Sequence, residues 1–342
     1  MTVRRLARNI LKRLRLRLLQ MIPDKTVISY QYRKRIGQPI DWKNPRRFTE
    51  KVQLYKLYYK NPLLVTCTDK ADVRGFVADR GLSEILNEVY GVYDSLDEID
   101  FDTLPDRFVV KDTLGEGSGV GVIVCADKNK LDLPRMKKRI RSWLRIPCHL
   151  PYGGREWPYY SGKKHRIIIE RYIDAGPEGP IDYKFFCFDG VPKYMYVMSD
   201  RWGVGGPRLG FFDADFTQLP FRYKGMRELP GPVAKPENFE FMLDVARRLS
   251  APFPHARVDL YNDHGKVVFG ELTFYSGQGY SVYEPNTFDY MMGEAFRLPE
   301  SCMRNAGEMI AREGFRRSGF KSECSTCRCL RHRGIFPARE PL

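Results

Sequence analysis

Residues 257–273, RVDLYNDHGKVVFGELT, constrain the fold of this chain more tightly than any other stretch. Two alternating apolar and polar runs flank Asp263-His264-Gly265, the composition of a β-hairpin. A three-residue loop is expected there, a type I turn closed by a left-handed glycine. It pairs Asn262 with Lys266, Asp259 with Phe269 and Arg257 with Glu271. Side chains alternate, so Arg257, Asp259, Glu271 and Thr273 share one face, and Val258, Leu260, Val268 and Leu272 share the buried one. A two-residue loop would shift the register by one and split the carboxylates. Two carboxylates on a rigid sheet face suit Mg²⁺, which takes oxygen ligands and leaves room for water and phosphate. A cross-strand ion pair between Arg257 and Glu271 is the plainer alternative.

The rest of the chain has the means to build a large core around that hairpin: 342 residues, 43% hydrophobic and 29% charged, the balance of a soluble globular protein. Its formal charge of +15 is unevenly placed. Residues 1–17 carry seven basic residues and no acid, and residues 311–342 carry a net +5, which leaves +3 for everything between. In the amino-terminal run, Val3, Leu6, Ile10, Leu14 and Leu18 recur at helical spacing among arginines, a pattern that suits an amphipathic helix on an anionic inner-membrane surface. Packing on the protein's own body and a nucleic-acid-binding arm are the alternatives. Arginines interrupt every apolar run, so neither a signal peptide nor a spanning helix is expected, and the chain is placed in the cytoplasm. No nucleic-acid-reading module is evident. Eight cysteines are then expected as thiols. Cys324, Cys327 and Cys329 are close enough to suggest zinc, but the basic tail around them reads as flexible.

Along the chain, residues 23–65 read as helical hairpins with a helix start at Asn44-Pro45, and RFVVK (107–111) and VIVCA (122–126) as strands around the glycine-rich DTLGEGSGVG. Glycines let amide N–H groups turn toward anionic oxygens, and Lys111 adds a point charge beside them. A strand follows this loop, so it is no Walker A loop. IIIERYI (167–173) reads as a buried strand ending at Glu170 and Arg171. Strands dominate from residue 165, with a helix at 239–249, an α+β arrangement of mostly antiparallel sheet.

Taken in order, NPRRFTEKVQLYKLY, TDKADVR, FVVK and VIV around the glycine loop, GREWPYY, IIIERYI, DYKFFCFDGVPKYMYVMSDR, FPHARVDLYNDHGKVVFGELTF and YEPNTFDYMMG resemble the ATP-grasp superfamily. Within it they are similar to the TupA-like family, associated with teichuronopeptide and other cell-envelope or capsule polysaccharide synthesis. The resemblance covers about residues 23–300. It implies an ATP-grasp fold with a nucleotide held between two α+β lobes behind a helical extension. The expected segments are a basic helix (1–22), a helical and α/β region (23–104), a lid lobe (105–185), a carboxy-terminal lobe (186–310) and the tail (311–342).

The resemblance also implies roles for particular residues. Lys70 and Lys111 would hold nucleotide phosphates under a cover formed by Gly117, Ser118 and Gly119, and Lys184 is counted beside them as a cofactor-site residue that could also hold an acidic substrate. Glu170, Arg171 and Ile173 would contact the adenosine from the linker. Asp259 and Glu271 would hold Mg²⁺ across ATP, with Thr273 where many relatives have asparagine, and Arg257 would steady the transferred phosphoryl group. Arg155, Trp157 and Arg201 are candidates for an acidic saccharide substrate. Such enzymes join a carboxylate to an amine, here an amino acid, through an acyl phosphate. Two alternatives stand beside that reading: a kinase acting on a glycan hydroxyl, and a glycosyltransferase-associated protein without catalysis.

Overall fold

The computed structural model describes residues 22–115, 121–146, 155–176 and 179–307. The expected basic helix, the Gly117–Ser118–Gly119 cover and the cysteine-bearing tail lie outside these residues.

Four short helices open the described chain: α1 (Asp24–Ile36), α2 (Phe48–Tyr58), α3 (Pro62–Thr68) and α4 (Val73–Ala78). The expected start at Asn44-Pro45 is corrected to Phe48. Glu50 reaches back to accept from the backbone N–H groups of Arg46 and Arg47, at 3.0 Å each, so the first turn closes after the arginines and not at the proline. From α2, Phe48, Val52 and Tyr55 enter the main core while Leu54 joins a smaller cluster with Ile28 and Tyr32 of α1.

The strands form two lobes. β1 (Val89–Tyr93), β2 (Phe108–Asp112), β3 (Val122–Cys125) and β4 (Ile167–Arg171) build one antiparallel sheet in the order β1-β4-β2-β3, and α5 (Leu133–Trp143) covers one face. Alternation decides which face: Phe108 and Val110 turn to α5, and Lys111 turns away from it. The second sheet contains β5 (Asp182–Phe188), β6 (Val191–Ser199) and β7 (Arg208–Asp213). Three two-residue strands follow, β8 (Gln218–Leu219), β9 (Arg222–Tyr223) and β10 (Arg227–Glu228), and then α6 (Phe239–Ser250). The hairpin strands β11 (His255–Asp263) and β12 (Lys266–Thr273) complete the sheet in the order β10-β7-β6-β5-β11-β12, with β8 beside β7. β13 (Tyr283–Glu284) pairs β9, and α7 (Thr287–Ala295) packs against α2.

Two expected boundaries move. β1 joins the lid sheet although residues 23–104 were expected as a separate region. A boundary at 185/186 would cut β5, every residue of which is buried between β6 and β11. No helix among the described residues is long and apolar enough to cross a membrane.

Candidate active site

The hairpin gathers its charges by a different route from the one its turn suggests. Asp263 pairs Lys266, so the loop has two residues, and His264 and Gly265 both take positive φ (52° and 87°) as a type I′ turn requires. That loop alone would split the carboxylates. A β-bulge at Gly270 restores them: Leu260 pairs Phe269 and the next pair is Asp259 with Glu271, with Gly270 left over. A Cβ on Gly270 would stand 2.9 Å from the Asp259 carbonyl oxygen, which explains glycine there. Arg257 consequently faces Thr273, not Glu271, and Val268 moves to the charged face opposite Tyr261 while Val267 and Phe269 enter the core.

Arg257 holds Asp259 with two hydrogen bonds, its Nε and Nη2 each donating at 2.7 Å to a different carboxylate oxygen. Nη2 also donates to the Thr273 hydroxyl at 3.0 Å and reaches Glu271 at 3.5 Å. From β5, Lys184 lies in register with Asp259 and donates to the same carboxylate, while its ammonium is 3.3 Å from Asp182. Arg201, just past β6, closes the row by ion-pairing Asp182. Three cations thus alternate with Asp182, Asp259 and Glu271 on one face, buried at its centre and part-exposed at Arg201 and Glu271. Burial alone would raise the Asp259 carboxyl, but Arg257 and Lys184 outweigh it and hold it below the ordinary value. Burial likewise works against the charge on Lys184, and Asp259 with Asp182 more than offsets it.

The lid lobe supplies the opposing charges. Lys111 on β2 ion-pairs Glu170 on β4, on the sheet face away from α5. Lys70, between α3 and α4, donates to the Gly115 carbonyl at 2.6 Å. Burial lowers its ammonium, Glu271, Asp112 and Glu170 act to raise it and Lys111 to lower it, so each of these groups lies within electrostatic reach of Lys70. Both lobes therefore face one charged space. Arg171 does not point into it: its guanidinium donates to Asp263 at 3.1 Å and ties the end of β4 to the hairpin tip. Ile173 follows in the partly buried linker, where Tyr172 stacks on Trp202 with ring centroids 6.2 Å apart.

Several of the expected residues lie elsewhere or are already committed. Arg155 is buried and pairs Asp24 of α1 at 2.7 Å, and Trp157 sits beside α3 under the Lys60 ammonium, so neither joins this charged space. Arg201 reaches the cluster but spends its guanidinium on Asp182. Asp112 takes hydrogen bonds from His165 Nδ1 at 2.8 Å, at the pinched base where Gly115 and Gly121 pass in backbone contact.

Sequence reasoning missed three contributors: Asp182, Asp72 and Arg166. Asp182 precedes Lys184 by two residues on β5, and that spacing put both on one face once the strand was recognised. Asp69 and Asp72 flank Lys70 in a turn closed by Arg166, which donates to Asp69 at 2.9 Å and to Asp72 at 2.6 Å. No local pattern connects residue 166 to residue 69.

The donor set can be tested against a hard cation. Among the described residues no three His, Cys, Asp or Glu side chains converge at ligating distance. Asp259 already shares its oxygens with two cations, whereas Glu271 is about a third exposed (32%) and, among the described residues, makes two hydrogen-bond contacts, with Arg257 and Thr273 at 3.5 Å each. One available carboxylate, one shared carboxylate and a hydroxyl fit a Mg²⁺ that brings water and phosphate for most of its shell.

Comparison with known proteins gives a coherent result. The family model for TupA-like ATP-grasp proteins matches residues 50–297. Among solved structures, the D-alanine–D-alanine ligase from Bacillus anthracis is 18% identical, with 73% of this chain and 70% of that chain covered and a TM-score of 0.44. D-alanyl-alanine synthetase A from Vibrio cholerae is 11% identical over 75% of this chain and 67% of that one, TM-score 0.39. The D-cycloserine synthetase DcsG is 17% identical over 62% and 64%, TM-score 0.35. No curated protein matches this chain in sequence.

Proposed function

The chain belongs to the TupA-like ATP-grasp family, with the α+β fold of that superfamily, and from that premise we propose that it is a ligase that joins a carboxylate to an amine at the expense of ATP. The observation that carries this reading is the convergence of Lys70, Lys111, Lys184 and Arg257, from both lobes, on the space that also holds Glu170 and Glu271. Four cations around the part-exposed Glu271 and the buried, Lys111-paired Glu170 form a cradle for a polyphosphate with a bound divalent ion.

Lys111 and Lys70 neutralise phosphate charge from the lid side. Arg257, fixed by its fork on Asp259, presents remaining N–H donors where negative charge grows on a transferred phosphoryl group. Lys184 keeps Asp259 ionised and the strand pair in register. Glu170, at the mouth of the linker, accepts from the adenosine. Glu271, with Asp259 and Thr273, would hold Mg²⁺, which supplies charge neutralisation between phosphate oxygens. No side-chain nucleophile is required, since the activated species is an acyl phosphate of the substrate and the amine attacks it.

The acceptor is an acidic saccharide, of the uronic-acid kind found in surface polysaccharides, and the amine an amino acid; the TupA-like assignment supports this choice. A kinase reading would need a hydroxyl acceptor and no amine. The test supplies ATP, magnesium, uronic acids and an amino-acid panel and follows ADP and free phosphate together. Phosphate release that requires both acid and amine, and is lost in Asp259→Asn and Glu271→Gln, is expected. ADP formed on a sugar alone without free phosphate establishes the kinase instead.

A further inference from the structure

The body of this chain is not uniformly neutral. Residues 18–310 carry a net +3, yet residues 128–146 alone carry eight basic residues and one acid, so the remainder of the body is at −4. The basicity is therefore concentrated on α5 and its flanks.

The structure shows how that charge is displayed. Met136, Ile140 and Trp143 lie along one side of α5 and are buried against the lid sheet. On the opposite side Arg135, Lys138 and Arg141 are exposed, with Arg145 just past the helix end. The lone acid, Asp132, is consumed as the helix cap, accepting from the Arg135 backbone N–H at 2.9 Å. Because Lys111 and Glu170 occupy the other face of the same sheet, α5 presents its cations on the outside of the lobe, away from the nucleotide cradle.

We propose that the exposed face of α5 docks on an anionic lipid bilayer, and so holds the lid lobe at a membrane surface with its cradle turned away from the lipid. A convex helix carrying spread cations complements a laterally extended anionic layer. An acidic polymer strand would be met better by a groove, and a single-stranded nucleic acid by exposed aromatic platforms. Here Trp143 and the neighbouring Phe101 are both buried in the lobe's core. The acid-free run of seven cations in residues 1–17 gives the same chain a second element suited to the same surface.

The experiment is sedimentation of the full chain with phosphatidylcholine vesicles containing or lacking phosphatidylglycerol. Binding is expected only with phosphatidylglycerol and should weaken as salt rises. Each cation at such a surface contributes roughly fivefold, so the triple variant Lys138→Gln, Arg141→Gln, Arg145→Gln should lose on the order of a hundredfold in partitioning. The double variant Arg141→Lys, Arg145→Lys should keep it. An unchanged partition in the triple variant overturns the proposal, as does retention on immobilised polyuronate or DNA without vesicle binding. In the unmodified protein, amine labelling of Lys138 should be suppressed by anionic vesicles, and equal labelling with and without them also overturns it.

Discussion

Gly270 is the residue that sets Asp259 opposite Glu271. With a two-residue turn at His264-Gly265, the two acids would fall on opposite faces, and the bulge at Gly270 reverses that outcome. Its absent side chain leaves room for the Asp259 carbonyl, which a Cβ would approach to 2.9 Å. Gly270→Ala should therefore cost about 1–3 kcal/mol of stability through local overpacking and lower ATP-dependent turnover by at least roughly tenfold. The control is Gly265→Ala, where φ is +87° but a Cβ meets nothing within 4 Å. It should cost about 1 kcal/mol and leave turnover intact. Denaturant titration and a coupled ADP assay on both variants check this. Equal turnover in the two would show that the bulge does not organise the site.

Arg257→Lys separates charge from geometry. Lysine keeps the cation but cannot donate to both Asp259 oxygens while also reaching Thr273 and Glu271. Turnover should fall about a hundredfold, in kcat more than in KM, because the donors act on charge that develops during transfer. Stability should fall by only about 1–3 kcal/mol, since Lys184 still neutralises Asp259. Steady-state kinetics at saturating ATP gives the decisive number, and an unchanged kcat would remove Arg257 from the chemical step.

How much of this was legible beforehand follows from the range of the interactions. The shared face of Arg257, Asp259, Glu271 and Thr273 was readable because strand alternation is local, and two errors, in loop length and in the missing bulge, cancelled. Lys111 and Glu170 were each readable at the end of an apolar strand, but that their two strands pair was not, because 59 residues separate them. The helix start at Phe48 was misplaced because Pro45 advertises an N-terminus, whereas the decisive partner, Glu50, lies inside the helix. The commitments of Arg155 to Asp24 and of Arg166 to Asp69 and Asp72 span about a hundred residues or more, and nothing in either local sequence marks them. Asp182 was passed over because a carboxylate in a fully buried strand is uncommon unless its cations are already known.

Lys111 and Glu170 make a pair whose members should respond differently to ligand. Lys111→Met removes a phosphate cation and should weaken both ATP and inorganic tripolyphosphate by roughly tenfold. Glu170→Gln removes the adenosine acceptor and frees Lys111, so ATP should weaken while tripolyphosphate binds as well or better. Calorimetric titration with the two ligands distinguishes the cases. Parallel losses in both variants would mean that Glu170 serves only to anchor Lys111.

His255 is enclosed by the rings of Phe48, Phe186, Phe188 and Phe296 at the centre of the main core. Its Nδ1 donates to the Cys187 carbonyl at 2.9 Å, which leaves Nε2 as a buried acceptor without a hydrogen-bond partner. Burial drives its pKa down to about 3. The folded chain thus binds fewer protons here than the unfolded chain, whose histidine titrates at its ordinary value. The stability contributed by neutral His255 is complete above the unfolded pKa and is lost as the pH falls from there toward about 3. The expected slope approaches about 1.4 kcal/mol per pH unit well below the unfolded value. Asp289, raised to about 6 by burial, pulls the other way, because its protonated form is favoured in the fold and its contribution fades as pH rises through that value. Comparison with His255→Gln isolates the histidine, since Asp289 is common to both chains and glutamine does not titrate. Equilibrium urea unfolding at closely spaced pH values should give a wild-type slope steeper in the acid range than that of the variant. Superimposable slopes would mean that His255 is protonated within the fold, and that water reaches the aromatic core.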